Sequence, residues 1–311
     1  MSRTAFGYLA AFLLLLAAPF ALYPVLLMKV LCFALFACAF NLLLGYTGLL
    51  SFGHAAFFGV AAYIAGHALK VWGVPAPLGL LLGSAAAAAL GWVIGSLAIR
   101  RQGIYFAMIT LALAQMLYFV FVQMPFTGAE DGLQGVPRGS LFGLVDLDED
   151  LNLYYFVLAV FIFGFWLIHR TIHSPFGQIL KAIRENEARA VSLGYDVAKY
   201  KLLAFVISAG LAGLAGATKV LVFKFATLTD AHWNTSGEVV LMTLLGGMGT
   251  VLGPVVGASI IVLLQDELAD KVGSLVTVIM GVIFVVCVLA FRRGIVGELR
   301  ALHGRLTGNR R

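Results

Sequence analysis

The chain has 311 residues, of which 61% are hydrophobic and only 12% are charged, whereas soluble domains carry roughly a quarter charged residues. The mean hydropathy of +0.99 and apolar runs as long as the roughly 20 residues that cross a bilayer core exclude a soluble protein. The 21 basic and 15 acidic residues give a net charge of +6. Because the basic residues flank apolar runs, we interpret them as signals of membrane orientation and not as a nucleic-acid surface.

The apolar runs predict about eight transmembrane helices, over 6–24, 27–45, 49–69, 77–98, 103–123, 153–169, 202–223 and 274–291. The first is predicted as an uncleaved span, because it is longer than the apolar core of a signal peptide. A Gly-rich segment over 238–265 remains. Its glycines and Pro254 would interrupt a helix near mid-membrane, which predicts a broken or re-entrant pair of short helices. The fold class is an all-α polytopic membrane protein, with residues 1–311 forming a single transmembrane domain.

Charge indicates which loops face the cytoplasm. Residues 125–152 hold six acidic residues against Arg138 alone, whereas the 98–103 loop holds Arg100 and Arg101 and the tail over 292–311 holds six arginines. Because Lys and Arg accumulate in cytoplasmic loops, the acidic loop is predicted outside and both termini inside. This orientation requires the broken segment to enter and leave the membrane on one side.

A charged insert interrupts the apolar chain at 170–201, with basic residues at Arg170, Lys181, Arg184, Arg189, Lys199 and Lys201. Ser174 can cap a helix whose first residue is Pro175, and Gly194 is a suitable stop. One apolar helix face is predicted from Leu180, Ile183, Ala190 and Val191. Asp196 can then cap the following span, which Lys199 and Lys201 would lead in from the inner membrane surface. The residues alone leave two readings open: a connector lying on anionic lipid or a docking helix for a soluble partner.

Polar residues at membrane depth are costly and mark functional sites by default. Together with two Gly-interrupted segments, 45–59 and 246–257, they predict a translocation path. The candidate path residues are Asn41, Thr47, Ser51, His54, Gln115, Gly246, Gly247 and Gly249. The alternatives are that His54 only makes an interhelical hydrogen bond and that the glycines only allow close helix packing. Glu238 is expected near the outer surface, as a cap of the second segment.

Catalytic and cofactor motifs are absent from the sequence. There is no G-x-x-x-x-G-K-[ST] motif for a nucleotide phosphate and no H-E-x-x-H pair for zinc, so we predict no metal site and no catalytic residues. The three cysteines, Cys32, Cys38 and Cys287, lie in apolar runs without metal-ligand spacing. An ion-coupled transporter or channel for a small polar solute is the alternative function, but its spans would normally contain an acidic residue, and the predicted spans contain almost none.

Several long motifs carry a resemblance to a known family. They occur in the order "NLLLGYTGLLSFGHAAFFGVAAYIAG", "GIYFAMITLALAQM", "TGAEDGLQGVP", "SPFGQILKAIRENEARAVSLGYDVAKYKLLAFVISAGLAGLAGA" and "GEVVLMTLLGGMGTVLGPVVGA". In this order and spacing the chain, from about residue 28 to 293, resembles the branched-chain amino acid ABC transporter permeases. The form "GYTGLLSFGHAAFFG" resembles their LivM-type subunit.

The resemblance implies a permease subunit of an ATP-driven importer in a bacterial-type inner membrane, and not an enzyme. It implies as partners a homologous permease, two cytoplasmic ATPases that bind ATP and Mg²⁺, and an extracytoplasmic solute-binding protein, with no cofactor in this chain. The insert would be the coupling helix that sits in a cleft of an ATPase, with Ser174, Gly177, Lys181, Arg184, Glu185, Asn186, Ala190 and Gly194 as its site residues.

Overall fold

The computed structural model describes residues 14–20, 22–141, 145–290 and 294–298, and it is mostly helical. The main helices are α1 (Pro24–Thr47), α2 (His54–Lys70), α3 (Ala76–Ala98), α4 (Ile104–Gln123), α5 (Asp150–His173), α6 (Pro175–Glu185), α7 (Glu187–Ser192), α8 (Val197–Phe223), α9 (Trp233–Gly246), α10 (Gly253–Val272) and α11 (Val276–Ala290). Two-residue strands β1 (Leu133–Gln134), β2 (Ser140–Leu141), β3 (Val145–Asp146) and β4 (Phe225–Ala226) lie between them.

Five described helices are long and apolar enough to cross a membrane: α1, α3, α4, α5 and α8. They match five of the predicted spans to within a few residues. The predicted span over 49–69 is shorter in the structure, where α2 has 17 residues and begins at His54. Most of the predicted span over 6–24 lies outside the described residues. The polytopic helical class is confirmed, but the count of eight spans is not.

Helix α8 is the centre of the bundle, and α1, α2 and α3 pack around it. The contact between α3 and α8 depends on small residues, because Gly83, Ala87, Gly91 and Gly95 follow one another at four-residue intervals along α3. A Cβ atom added at Gly213 of α8 would overlap the Cβ of Ala87. Small residues let membrane helices approach closely enough to gain dispersion energy.

The bundle has two distinct ends. At the end called here the strand end, β1 pairs with β4 and β2 pairs with β3, both antiparallel. The opposite end carries α6 and α7 and is called the α6 end. Arg138 joins α5 and α8 at the strand end. Its guanidinium lies 3.0 Å from an Asp150 carboxylate oxygen and donates to the Val222 carbonyl at 2.9 Å. Acidic residues collect at the strand end and basic residues collect at the α6 end.

The predicted broken segment is a pair of helices, α9 and α10, joined by residues 247–252. Gly246 and Gly257 allow the two helices to approach, because a Cβ on either glycine would meet backbone atoms of the other helix. Glu238 does not cap this segment: α9 begins five residues earlier at Trp233, and Glu238 hydrogen-bonds Gln265 of α10. The predicted interruption of the helix is confirmed, but α10 has 20 residues and extends to Val272, so it is not short. The predicted role of Glu238 is wrong.

Candidate functional site

The charged insert folds as two helices and not one. The Ser174 hydroxyl caps α6 by accepting a hydrogen bond from the Gly177 amide at 3.3 Å, and Pro175 is the first helical residue, as predicted. The helix ends at Glu185, because Asn186 adopts an extended conformation with φ −156°. The Asn186 side chain instead caps α7 by accepting from the Arg189 amide at 3.0 Å. The prediction of one continuous helix to Gly194 is wrong, since a side chain that caps a new helix competes with continuation of the old one.

This break changes which residues face outward. Leu180, Ile183 and Ala190 are buried as predicted, but Val191 is 57% exposed and Leu193 is 69% exposed. The position of Val191 on the buried face was predicted from an uninterrupted helix and is wrong. The second helix therefore presents an apolar tip to the outside of the bundle.

The junction of α7 with α8 follows the predicted local signals. Gly194 ends α7 with φ +87°, a conformation that L side chains disfavour, and Asp196 caps α8 by accepting from the Lys199 amide at 3.3 Å. Lys199 is exposed and pairs with Asp196 at 2.9 Å, and the hydrogen bonds from Lys199 hold the pKa of the Asp196 carboxyl below its usual value. Lys201 is buried within the protein and pairs with Glu187 of α7 at 2.7 Å.

Arg184 links the insert to the membrane-spanning bundle. Its guanidinium donates a hydrogen bond to the Gly45 carbonyl in the last turns of α1, and the Lys181 ammonium lies 5.7 Å from the centre of the Tyr46 ring. These residues, together with Glu185 and Gly249, line an open cavity of about 500 Å³, called here the α6 cleft. A displacement of α6 would therefore act directly on the end of α1.

The two Gly-interrupted segments meet beside the α6 cleft. The Asn41 side chain donates to the Thr250 carbonyl at 2.8 Å and accepts from the Gly249 amide at 2.9 Å. Gly45 packs against the same turn, since a Cβ there would lie 2.6 Å from the Gly249 nitrogen. Gly247 and Gly249 both have positive φ, of 114° and 78°, which explains glycine at these positions. The structure thus brings together Asn41, Gly246, Gly247 and Gly249 of the predicted path.

His54 has a polar partner on another helix. Its Nε2 lies 2.8 Å from the Ser208 hydroxyl, which itself donates to the Ala39 carbonyl at 2.6 Å. Because the Ser208 hydroxyl donates its proton to the Ala39 carbonyl, it must accept from His54, and we assign the ring proton to Nε2. The Nδ1 atom is buried and has no hydrogen-bond partner among the described residues. The rings of Phe40, Phe57 and Phe205 surround the imidazole edge to face, so His54 joins α1, α2 and α8.

The remaining predicted path residues share no hydrogen bond with one another among the described residues. Thr47 and Ser51 make local hydrogen bonds, to the Leu42 carbonyl at 3.3 Å and from the Gly53 amide at 3.2 Å. Gln115 is half-buried in α4 and has no hydrogen-bond partner among the described residues. Thr47 and Ser51 therefore serve the turn between α1 and α2, and Gln115 lies on α4.

An ion pair that the sequence reading missed lies on the strand side of His54. Lys219 of α8 and Asp230 are both buried, and the ammonium lies 2.9 and 2.7 Å from the two carboxylate oxygens. The ammonium also faces the rings of Phe223 and Phe225, at 5.6 and 4.9 Å from their centres. The available signal was a single lysine within an otherwise apolar span. The sequence does not indicate its partner, because Asp230 lies between the predicted span 202–223 and the Gly-rich segment 238–265, outside the apolar runs.

Metal-binding geometry is not found in the part of the chain that the structure describes. No group of three or more His, Cys, Asp or Glu side chains is placed to hold an ion there. Cys32 and Cys38 are buried free thiols. His169 and His173 stack at the end of α5 with ring centres 4.2 Å apart, and one ring nitrogen of His173 is 2.8 Å from the His169 carbonyl.

Comparison with known proteins gives a family match over most of the chain. Residues 24–289 match the family model described as the permease component of branched-chain amino acid transport systems. The permease proteins LivM of the high-affinity branched-chain amino acid transport systems of Salmonella typhimurium and Escherichia coli are each 26% identical over 253 residues. That alignment covers 74% of this chain and 60% of each relative, so the chain matches less than two thirds of their length.

A more distant similarity extends to permeases named for other solutes. The ribose import permease protein RbsC of Escherichia coli is 29% identical over 199 residues, covering 60% of this chain and 61% of the relative. No solved structure gives a significant match.

Proposed function

Because the chain belongs to the family of permease components of branched-chain amino acid transport systems, we propose that it is the membrane-spanning subunit of an ATP-binding-cassette importer. Its solute would be a branched-chain or related amino acid. Its partners would be a homologous permease, two ATPases that hold ATP and Mg²⁺, and a solute-binding protein. The chain itself would carry out no covalent chemistry.

The observation that supports this proposal most directly is the connection between α6 and the broken helices. Arg184 reaches from α6 to the Gly45 carbonyl, and Asn41, one turn earlier on α1, holds Gly249 and Thr250. An ATPase bound to the insert would therefore move a helix attached to both Gly-interrupted segments. Alternating access requires such a link between the energy source and discontinuous helices near the path.

The apolar tip of α7 is the part of the insert we propose to enter the ATPase. Val191 and Leu193 are exposed, while α6 is anchored underneath by Gly177, whose missing side chain allows contact with the Ile172 carbonyl. Basic residues accumulate at this end and acidic residues at the strand end, so the positive-inside rule supports a cytoplasmic α6 end. The solute-binding protein would then meet the strand end.

The ion-coupled transporter is a weaker candidate. Its coupling ion would need an open carboxylate within the bundle. Glu238 of α9 hydrogen-bonds Gln265 of α10, and Asp230 is occupied by Lys219 and by the amide and hydroxyl of Thr227, at 3.1 and 3.2 Å. A carboxylate with these partners is already neutralised and saturated with hydrogen bonds.

Co-purification tests the proposed assembly. The tagged chain would be isolated in detergent from its native membrane and compared with Val191→Glu/Leu193→Glu, which places two carboxylates on the apolar tip. The matched control is Val145→Glu, which adds a carboxylate to an exposed strand residue at the other end of the bundle. We expect ATPases and a second permease with wild type and with the control, and loss of the ATPases alone from the double variant. Purification of wild type without an ATPase would contradict the proposal.

A further inference from the structure

A non-helical segment lies inside the bundle between α8 and α9. After β4 the chain forms a 3₁₀ turn over Leu228–Ala231, which packs against both α2 and α4. A Cβ on Gly59, in the second turn of α2, would lie 2.6 Å from the Cβ of Ala231. Farther along, the Ser236 hydroxyl accepts from the Ala55 amide at 2.9 Å. Helix α9 therefore begins beside the first two turns of α2, at a depth where irregular backbone is tolerated only if it is buried in protein or lines an aqueous cavity.

The start of α9 is weakly capped. The His232 Nδ1 atom accepts from the Asn234 amide at 3.4 Å, and the first turn contains no acidic residue. Trp233 is 47% exposed and Asn234 is exposed as well, so this helix terminus opens on the side of the bundle. The helix dipole at such a terminus favours an anionic group.

A second and independent observation points to the same place. The Tyr63 hydroxyl is buried, with the residue 1% exposed, and it has no hydrogen-bond partner among the described residues. Its ring packs on Phe121 of α4 with centres 5.3 Å apart. Tyr118, one turn earlier on α4, packs on the ring of His232 at 5.1 Å. Tyr63 follows Gly59 by one turn on α2, and a Cβ on Gly59 would touch Ala231, so Tyr63 lies on the face of α2 that packs on the 3₁₀ turn.

Gln115 extends this set of unsatisfied donors. It lies three residues before Tyr118 on α4, where i and i+3 side chains share a face, and it has no hydrogen-bond partner among the described residues. A buried polar group without a partner costs free energy, which applies to the Tyr63 hydroxyl; Gln115 is half-buried and adds a donor on the same side of α4 as Tyr118. The nearby Lys219–Asp230 pair adds no net charge.

From this geometry we propose that the start of α9, with Tyr63 and Gln115, binds the carboxylate of the transported solute. The helix terminus supplies the positive end of a dipole, and the phenol and the side-chain amide supply donors. Because the Lys219–Asp230 pair is already neutral and supplies no further cation, the site suits a solute with a single carboxylate, such as an amino acid whose side chain has no second acidic group. The inference rests on the proposed function for the solute class, while the site itself is a separate claim.

Saturation-transfer difference NMR on the purified transporter complex in detergent tests the site without ATP. The probes are L-leucine, 4-methylpentanoate, which lacks the ammonium group, and 3-methylbutylamine, which lacks the carboxylate. We expect transfer to the leucine methyl groups, competition by the acid and none by the amine. We expect Tyr63→Phe to weaken leucine binding about tenfold, the loss of one hydrogen bond to a charged group. The control is Tyr154→Phe, which removes a hydroxyl equally buried but bonded to the Leu15 carbonyl at 2.6 Å.

Three results would overturn the site: no transfer to leucine in the wild-type complex, competition by the amine but not by the acid, or equal binding by wild type and Tyr63→Phe. Because Tyr63 has no hydrogen bond to lose, the Phe variant should unfold at a temperature no lower than wild type, which separates lost binding from lost folding. Failure of the ATP-driven function would appear instead as uptake that needs no ATP, and it leaves these binding results unaffected.

Discussion

Removing one member of the Lys219–Asp230 pair should destabilise the protein far more than removing both. Lys219→Met leaves a carboxylate without its counter-ion in a buried site, which costs about 3–5 kcal/mol. At about 2–4 °C per kcal/mol, this lowers the unfolding temperature by about 6–20 °C. The double variant Lys219→Met/Asp230→Asn removes both charges and should recover most of that loss, because a buried pair gives little net stability over uncharged residues of similar volume.

A thiol-reactive dye can follow this unfolding, since Cys32 and Cys38 are buried free thiols that become reactive only when the bundle opens. Lys224→Met is the matched control, because it breaks an exposed lysine–aspartate pair with Asp148 at 3.0 Å, and exposed pairs contribute about 0–1 kcal/mol. If Lys219→Met unfolds within a degree or two of Lys224→Met, or if the double variant is less stable than the single one, the assignment of a buried, mutually neutralised pair is refuted.

Three further variants test other contacts. Asn41→Ala should leave the amide of Gly249 and the carbonyl of Thr250 unpaired. At about 1–3 kcal/mol for each group, the free energy of unfolding should fall by about 2–6 kcal/mol. An unfolding temperature equal to wild type would show that the two Gly-interrupted segments do not depend on the Asn41 hydrogen bonds. Gly213→Ala should overpack the α3–α8 contact and lower the free energy of unfolding by about 1–3 kcal/mol. The control Gly237→Ala, with nothing within 4 Å of the new Cβ, should be neutral or slightly stabilising. Equal effects of the two variants would contradict the close packing at Gly213. Asn186→Ala should speed amide hydrogen exchange over 187–192 with little change in global unfolding, because it removes only the cap of α7; unchanged exchange would mean that the cap is dispensable.

Sequence signals that act over a few residues predicted this structure well. Ser174, Pro175, Gly194 and Asp196 each occupy the helix end expected from cap and stop preferences, because a cap depends on backbone atoms within one turn. The glycines over 246–257 likewise predicted a broken helix, since positive φ and close backbone approach both require glycine.

Features decided by distant parts of the chain were not predictable. The break at Asn186, which changed the orientation of Val191, is by contrast a local feature, since the asparagine caps α7 through the Arg189 amide three residues on. The partner of Lys219 lies eleven residues away in a segment that turns back into the bundle, and Tyr63 becomes notable only once α2 and α4 are placed beside Asp230. Such pairings depend on tertiary packing, which periodicity does not encode.

ATP-dependent solute uptake tests the central claim most directly. The chain and its co-purified subunits would be reconstituted into sealed vesicles, with leucine and its binding protein outside and ATP either enclosed or omitted. We predict that leucine accumulates only with enclosed ATP, and that Arg184→Ala reduces accumulation while the subunits remain assembled, because the link from α6 to Gly45 is lost. Accumulation that follows an imposed ion gradient in the absence of ATP would contradict the account and identify an ion-coupled transporter instead.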